Sequence, residues 1–164
     1  MMGAGKSAVG EVLAKSLGWR RVDTDQLVEE RAQMSVAEFF SAHGEEAFRE
    51  AESAVIASLC DDPAPLVVSV GGGAVMRAAN REAMRKLGTV VWLQARAETL
   101  LARVGSGEGR PLLVAGGGGG ARSRLVELAQ QRTPFYEQVA DLVIETDALS
   151  PDEVAGKIAR QLAL

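Results

Sequence analysis

Residues 3–10 read Gly-Ala-Gly-Lys-Ser-Ala-Val-Gly, and the fold follows from how that stretch is used. Glycines let a backbone curl round an anion, so that successive N–H groups and the start of a following helix face phosphate oxygens. Gly3, Gly5, Lys6 and Ser7 make most of the pattern G-x-x-x-x-G-K-[ST], with Ala4 and Ala8 in the same curve. Lys6 is suited to reach between the β- and γ-phosphates of a nucleotide, and the Ser7 hydroxyl to ligate Mg2+. Without that chemistry the stretch is a glycine turn and an exposed lysine. Downstream, Val9, Val12, Leu13 and Leu17 recur at helical spacing until Gly18, which predicts a helix over 5–17. An apolar strand normally leads into such a loop. Here Met1 lies two residues before Gly3, and the pattern's first glycine would fall immediately before Met1, so the first strand is expected to be missing or truncated.

Outward from the loop, helical and β-branched runs alternate. WRRVDTD predicts a brief strand, 26–33 and 35–42 two short helices, and 44–60 a longer one that ends before Pro65. LVVSV at 66–70 reads as a buried parallel strand halted by Gly71–Gly73. A polar helix over 77–87, a strand at 89–93, and helices at 95–104 and 121–132 follow, then a strand at 141–146 and a helix opened by Pro151. This alternation predicts a parallel sheet covered on both faces, in one domain over 1–164. Five adjacent glycines, Gly116–Gly120, have high ordering entropy and nothing to pack, so 105–120 is expected to be a mobile lid.

Composition narrows the classes. The 164 residues are 47% hydrophobic and 24% charged, as in an ordinary globular protein of one sizeable core. Eighteen basic against twenty-two acidic side chains give a net charge of -4, which disfavours nucleic acid as a partner. No apolar run approaches the roughly 20 residues of a membrane-spanning helix. The single Cys60 permits neither an intramolecular disulfide nor a cysteine metal cluster. A cytoplasmic location is expected.

The residues that carry chemistry are spread along the chain. Val22 and Thr24 alternate with Asp23 and Asp25, which predicts two carboxylates on one face at a strand's end. One can hold a metal-bound water while the other reaches a substrate hydroxyl as general base; their bland role is a solvated acidic turn. Glu52 lies three positions after Arg49, so it can brace the guanidinium as a planar clamp for a carboxylate, or form an ordinary surface pair. Gly71, Gly72 and Gly73 follow a buried strand and permit a ligand to approach bare backbone at the carboxyl end of the sheet. Pro134 is expected to end or offset the preceding helix, leaving Arg132 in its last turn, facing either the acceptor site or the helix terminus. Arg110, in a flexible segment, suits closure over phosphates and exclusion of water. His43 and Trp92 are read as turn or packing residues, and Tyr136 is left open between core packing and a wall of the acceptor pocket.

Taken in order, GAGKSAVG at 3–10, DTD at 23–25, GEEAFREAE at 44–52, GGG at 71–73, RPLL at 110–113 and RTPFYEQVAD at 132–141 resemble shikimate kinase, from Gly3 to about Asp147. The resemblance implies a three-layer α/β/α P-loop kinase with a parallel sheet of strand order 2-3-1-4-5. In that order the absent first strand would be the central one, and its loss would disrupt two neighbours. It implies transfer of the γ-phosphoryl group of ATP, with Mg2+, to the 3-hydroxyl of shikimate, on the route to chorismate and the aromatic amino acids; separately, a monomer is expected. Carried across, Lys6 matches the phosphate-binding lysine and Ser7 the magnesium-ligating hydroxyl. Asp23 matches the aspartate near the metal. Asp25 matches the one that contacts shikimate's hydroxyls and serves as base. Arg49 and Arg132 correspond to the arginines on the acceptor carboxylate, Gly71–Gly73 to the substrate-side loop, and Arg110 to the lid arginine; Phe40 and Phe48 match pocket positions. The alternatives are a gluconate-kinase-like enzyme for another polyhydroxy acid, a non-catalytic P-loop binding protein, or an inactive fragment.

Overall fold

The structure, a computed structural model, describes residues 1–104 and 120–164. Helix α1 spans Lys6–Leu17, opening after Gly5 in the left-handed region at φ 90° and closing at Gly18, whose N–H reaches back to Ala14 and Lys15 carbonyls. Strand β1 is Arg20–Asp23, and the Asp23 side chain then caps helix α2, Thr24–Ala32, by accepting from the Asp25 N–H. Helix α3, Val36–Leu59, starts with a reciprocal Ser35–Glu38 capping box and bends at Gly44, where φ is 81°. The two helices expected at 35–42 and 44–60 are thus both present within α3, meeting at a kink where Gly44 leaves helical geometry.

Strand β2, Leu66–Ser69, runs into the glycine loop and a 3-10 turn at Ala74–Met76. Helix α4 is Ala78–Leu87, strand β3 Val91–Gln94 and helix α5 Ala97–Val104. Helix α6, Gly120–Val139, precedes strand β4, Leu142–Glu145, and helix α7, Pro151–Leu162, which has Pro151 at its start and a Ser150–Glu153 capping box. Pro134 does not end α6, contrary to expectation. It removes one backbone donor, but Leu125, Leu128, Arg132, Tyr136 and Val139 are buried along one stripe across it, and that packing carries the helix through.

The expectation about the sheet is corrected. A missing or truncated first strand is not what the chain forms: β1 is whole and pairs in parallel with β2, from Arg20 opposite Leu66 to Asp23 opposite Ser69. β3 pairs likewise with β4, from Val91 opposite Leu142 to Gln94 opposite Glu145. The described strands thus number four, in two parallel pairs, β1-β2 and β3-β4, in place of a continuous order 2-3-1-4-5. Each strand keeps a hydrogen-bonded partner along one edge, and the inner sides of β2 and β3 line an apolar cavity of ≈ 600 Å³ between the pairs. The three-layer, parallel α/β/α frame holds.

The phosphate loop is anchored by packing. Met1 and Ala4 are buried, and α1 lies against both β2 and α7. Its approach to β2 is close: a Cβ on Gly10 would stand 2.8 Å from Ser69 Oγ, which itself donates to the Lys6 carbonyl at 3.3 Å. The main core gathers Val9, Leu13, Ile56, Val75, Leu93, Leu125 and Ile158, and a smaller cluster of Val28, Phe48 and Val55 packs with Phe39 and Phe40 where α2 meets α3. No helix among the described residues is long and apolar enough to cross a membrane.

Candidate active site

The carboxyl ends of β1 and β2, the start of α1 and one face of α3 enclose a cleft of ≈ 530 Å³. On one side lie Gly3, Gly5, Lys6, Ser7 and Ala8; Ala4 is buried just behind them. Because α1 begins at Lys6, its unpaired N–H groups open toward this side. The Lys6 ammonium donates to the Met1 carbonyl at 3.0 Å, which holds the side chain across the loop. Ser7 Oγ donates to Asp23 Oδ2 at 2.9 Å, and Arg21 reaches the same oxygen at 3.1 Å.

Asp23 and Asp25 do not share one strand face as expected. β1 stops at Asp23 because that carboxylate caps α2, and Asp25 projects from the helix's first turn. Both still line the cleft. The pair Ser7–Asp23 is chemically suited to Mg2+: two hard oxygen donors lie together, and no cluster of three His, Cys, Asp or Glu forms among the described residues. A cation that keeps water and phosphate oxygens for most of its shell needs no more from the protein.

On the opposite side, Arg49 donates to Glu52 Oε2 at 2.7 Å and to Glu45 at 3.3 Å, and lies over the Phe48 ring at 5.3 Å. Glu52 is fully buried (0% exposed), so the pair is a brace inside the fold rather than a surface contact. Arg132 is buried in the same cleft. Burial pushes its pKa down, and the nearby Arg49 cation adds to that effect. Two guanidiniums sharing one small space leave positive charge that a ligand carboxylate would balance. The glycine loop is bare because charge crowds it: a Cβ on Gly71 would sit 2.1 Å from Glu52 Oε1 and 2.8 Å from Asp25 Oδ1. One on Gly73 would sit 2.5 Å from the Arg49 guanidinium carbon. Phe40 and Phe48 wall this end.

Burial raises the Asp25 pKa, Asp23 adds to the rise, and Lys6 and Arg49 oppose it. Glu52 is raised by burial first, against the pull of Arg49. A carboxyl with a raised folded pKa binds more protons in the native than in the unfolded state. Its contribution to stability is therefore present below the unfolded value and lost as pH climbs through the folded one. As pH rises from the ordinary aspartate range through the raised one, the unfolding midpoint of Asp25→Asn is expected to fall less than the parent's. Parallel melting curves for the two proteins across that range would refute the assignment.

One contributor has no counterpart in the sequence reading, and a second is there left open. Arg103 also lines the cleft, its guanidinium held by Thr146 Oγ1 at 3.0 Å and the Thr146 carbonyl at 2.6 Å. Nothing local marks it, since it reads as a surface cation at a helix end. Tyr136, read as ambiguous packing, donates to the Gly72 carbonyl at 2.6 Å. Its spacing one turn after Arg132 was the available signal. Arg110 and the 105–119 part of the expected lid lie outside the described residues.

A helix start that can hold phosphate faces a pair of arginines that can hold a carboxylate, with Asp25 between them; this is the plan of a P-loop small-molecule kinase. Comparison with known proteins narrows the class. The family model described as Shikimate kinase matches residues 2–163. The shikimate kinase of Symbiobacterium thermophilum is 46% identical across 99% of this chain and 92% of its own length. That of Moorella thermoacetica is 41% identical across 98% and 90%. The solved shikimate kinase of Acinetobacter baumannii, in complex with shikimate, superposes with a TM-score of 0.92 at 34% identity, over 99% of this chain and 88% of that one. The chain belongs to the shikimate kinase family.

Proposed function

We propose that the two sides of the cleft divide the two substrates: Lys6, Ser7 and the start of α1 take the triphosphate of ATP, and Arg49 and Arg132 take the carboxylate of shikimate. The reaction is the ATP-dependent phosphorylation of shikimate, giving 3-phosphoshikimate and ADP, a step of the shikimate pathway. The observation that carries the residue assignment is the shared cleft itself, which brings Lys6, Asp25, Arg49 and Arg132 to one space.

The P-loop amides and Lys6 hold the donor phosphates, and Lys6 meets the charge that grows on the β–γ bridging oxygen as its bond to the γ-phosphorus breaks. Arg49, kept in plane by Glu52, and Arg132 orient the acceptor by its carboxylate. Asp25 accepts the proton of the 3-hydroxyl, whose oxygen forms the new bond to phosphorus. Ser7 and Asp23 would hold Mg2+, which supplies positive charge against the phosphate oxygens when bound. Gly3, Ala4, Gly5 and Ala8 shape the cradle, and Gly71–Gly73 let the acceptor approach the backbone. By the family resemblance alone, Arg110 is assigned to the nucleotide phosphates. One chain supplies every group named, so a monomer suffices.

Release of ADP by the purified protein, followed with shikimate or gluconate as acceptor, tests the reading. Turnover that depends on shikimate is expected; turnover with gluconate alone, or ATP binding with no turnover on either, would overturn it. Arg49→Ala removes one half of the carboxylate clamp. A charge-assisted pair contributes about 1.5–3 kcal/mol, so the shikimate KM should rise roughly 10- to 150-fold with the ATP KM little changed. An unchanged shikimate KM in a folded variant would remove Arg49 from the acceptor site.

A further inference from the structure

We infer that Tyr136 is a positioning residue for the acceptor, tying the Arg132 end of the carboxylate clamp to the peptide plane between Gly72 and Gly73. The inference rests on the acceptor site proposed above. Three glycines have no side chains with which to fix their own peptide planes, so neighbours must do so. Thr24 Oγ1 accepts from the Gly71 N–H at 3.0 Å, and the Gly71 and Gly73 carbonyls accept from Ala74 and Met76, both at 3.1 Å. The Gly72 carbonyl is held by a partner distant in sequence, the Tyr136 hydroxyl, at 2.6 Å. A trans peptide directs its C=O and N–H oppositely, so this bond also sets where the Gly73 N–H points.

The tyrosine is itself held firmly. Its ring stacks on Trp92 of β3, with centroids 5.3 Å apart and planes 16° from parallel. Burial pushes its pKa up to about 12, so the phenol keeps the proton it donates, although the Arg132 cation pulls the other way. Tyr136 lies one helical turn after Arg132, on the same face of α6. One helix therefore presents the guanidinium to the acceptor and the hydroxyl to the loop beside it. The glycine loop and the arginine cannot drift apart while that bond stands.

Tyr136→Phe deletes only the donor oxygen. Loss of one net hydrogen bond, about 0.5–1.5 kcal/mol, corresponds to a rise of roughly 2- to 12-fold in the shikimate KM, with kcat and the ATP KM staying within about twofold. A parallel change in both KM values and kcat, or no change in the shikimate KM, would overturn the inference. If Arg49→Ala raises that KM and Tyr136→Phe does not, only the tyrosine's role fails; if neither does, the acceptor site itself fails. Tyr136 is the chain's one tyrosine, so 3-fluorotyrosine labels it alone. Its fluorine resonance in the otherwise unaltered protein should shift as shikimate saturates, with the midpoint of shikimate binding. A resonance indifferent to shikimate would refute the tie even if the phenylalanine variant did not fold.

Discussion

Replacing Lys6 with Met is expected to lower kcat by roughly 10²- to 10³-fold, the range seen when one preorganised donor to a developing charge is lost. The methionine keeps most of the length and the apolar stem but carries no charge. The ammonium lies at the first position of α1, where the helix N-terminus already attracts anions. Its share should therefore be felt in the transition state, as negative charge moves to the bridging oxygen, more than in ground-state binding. The shikimate KM should hardly move, because Arg49 and Arg132 are untouched. Lys6 also donates to the Met1 carbonyl, so a thermal melt must accompany the kinetics. A folded Lys6→Met protein with kcat within about threefold of the parent would contradict the phosphate role.

Asp25→Asn should lower kcat by roughly 10²- to 10⁴-fold, the usual scale of general acid–base catalysis. The amide preserves size and hydrogen bonding but cannot take the hydroxyl proton. As the proposed base, Asp25 is competent only as the ionised carboxylate. Its raised pKa places the acid limb of the rate profile above the ordinary aspartate range. Activity should fall as pH drops through that raised value, and the limb should vanish from the residual activity of the variant. A variant that keeps more than about a tenth of kcat would show that Asp25 only orients the acceptor.

Local features were legible because they depend on a few neighbouring residues. The α1 boundaries follow from Gly5 and Gly18, and the stop of β2 follows from Gly71. The Arg49–Glu52 contact follows from a three-residue spacing on one helix. Where one local rule meets a stronger demand, the stronger demand sets the structure. Pro134 argued for a helix end, but the buried stripe around it outweighed one lost hydrogen bond. Asp23 and Asp25 argued for a shared strand face, but the first carboxylate was taken as a helix cap, which turned the chain at Thr24. The gap before Gly3 argued for a damaged sheet. In the structure β1 and β4 each satisfy one edge of the neighbouring strands, and burial of Met1 and Ala4 anchors the loop.

By itself the sequence determined the phosphate loop, the parallel α/β alternation and the kinase family, since each is written in short motifs whose chemistry is local. Only the tertiary structure decided that Arg132 and Arg49 share a cleft, that Glu52 is buried beneath them, that Arg103 lines it, and that Tyr136 bonds the glycine loop beside it. Those facts depend on how α3 and α6 pack around the turn at Ala74–Met76 and how α5 lies on α6. Helical periodicity says which side of a helix is buried, but not which partner it meets there.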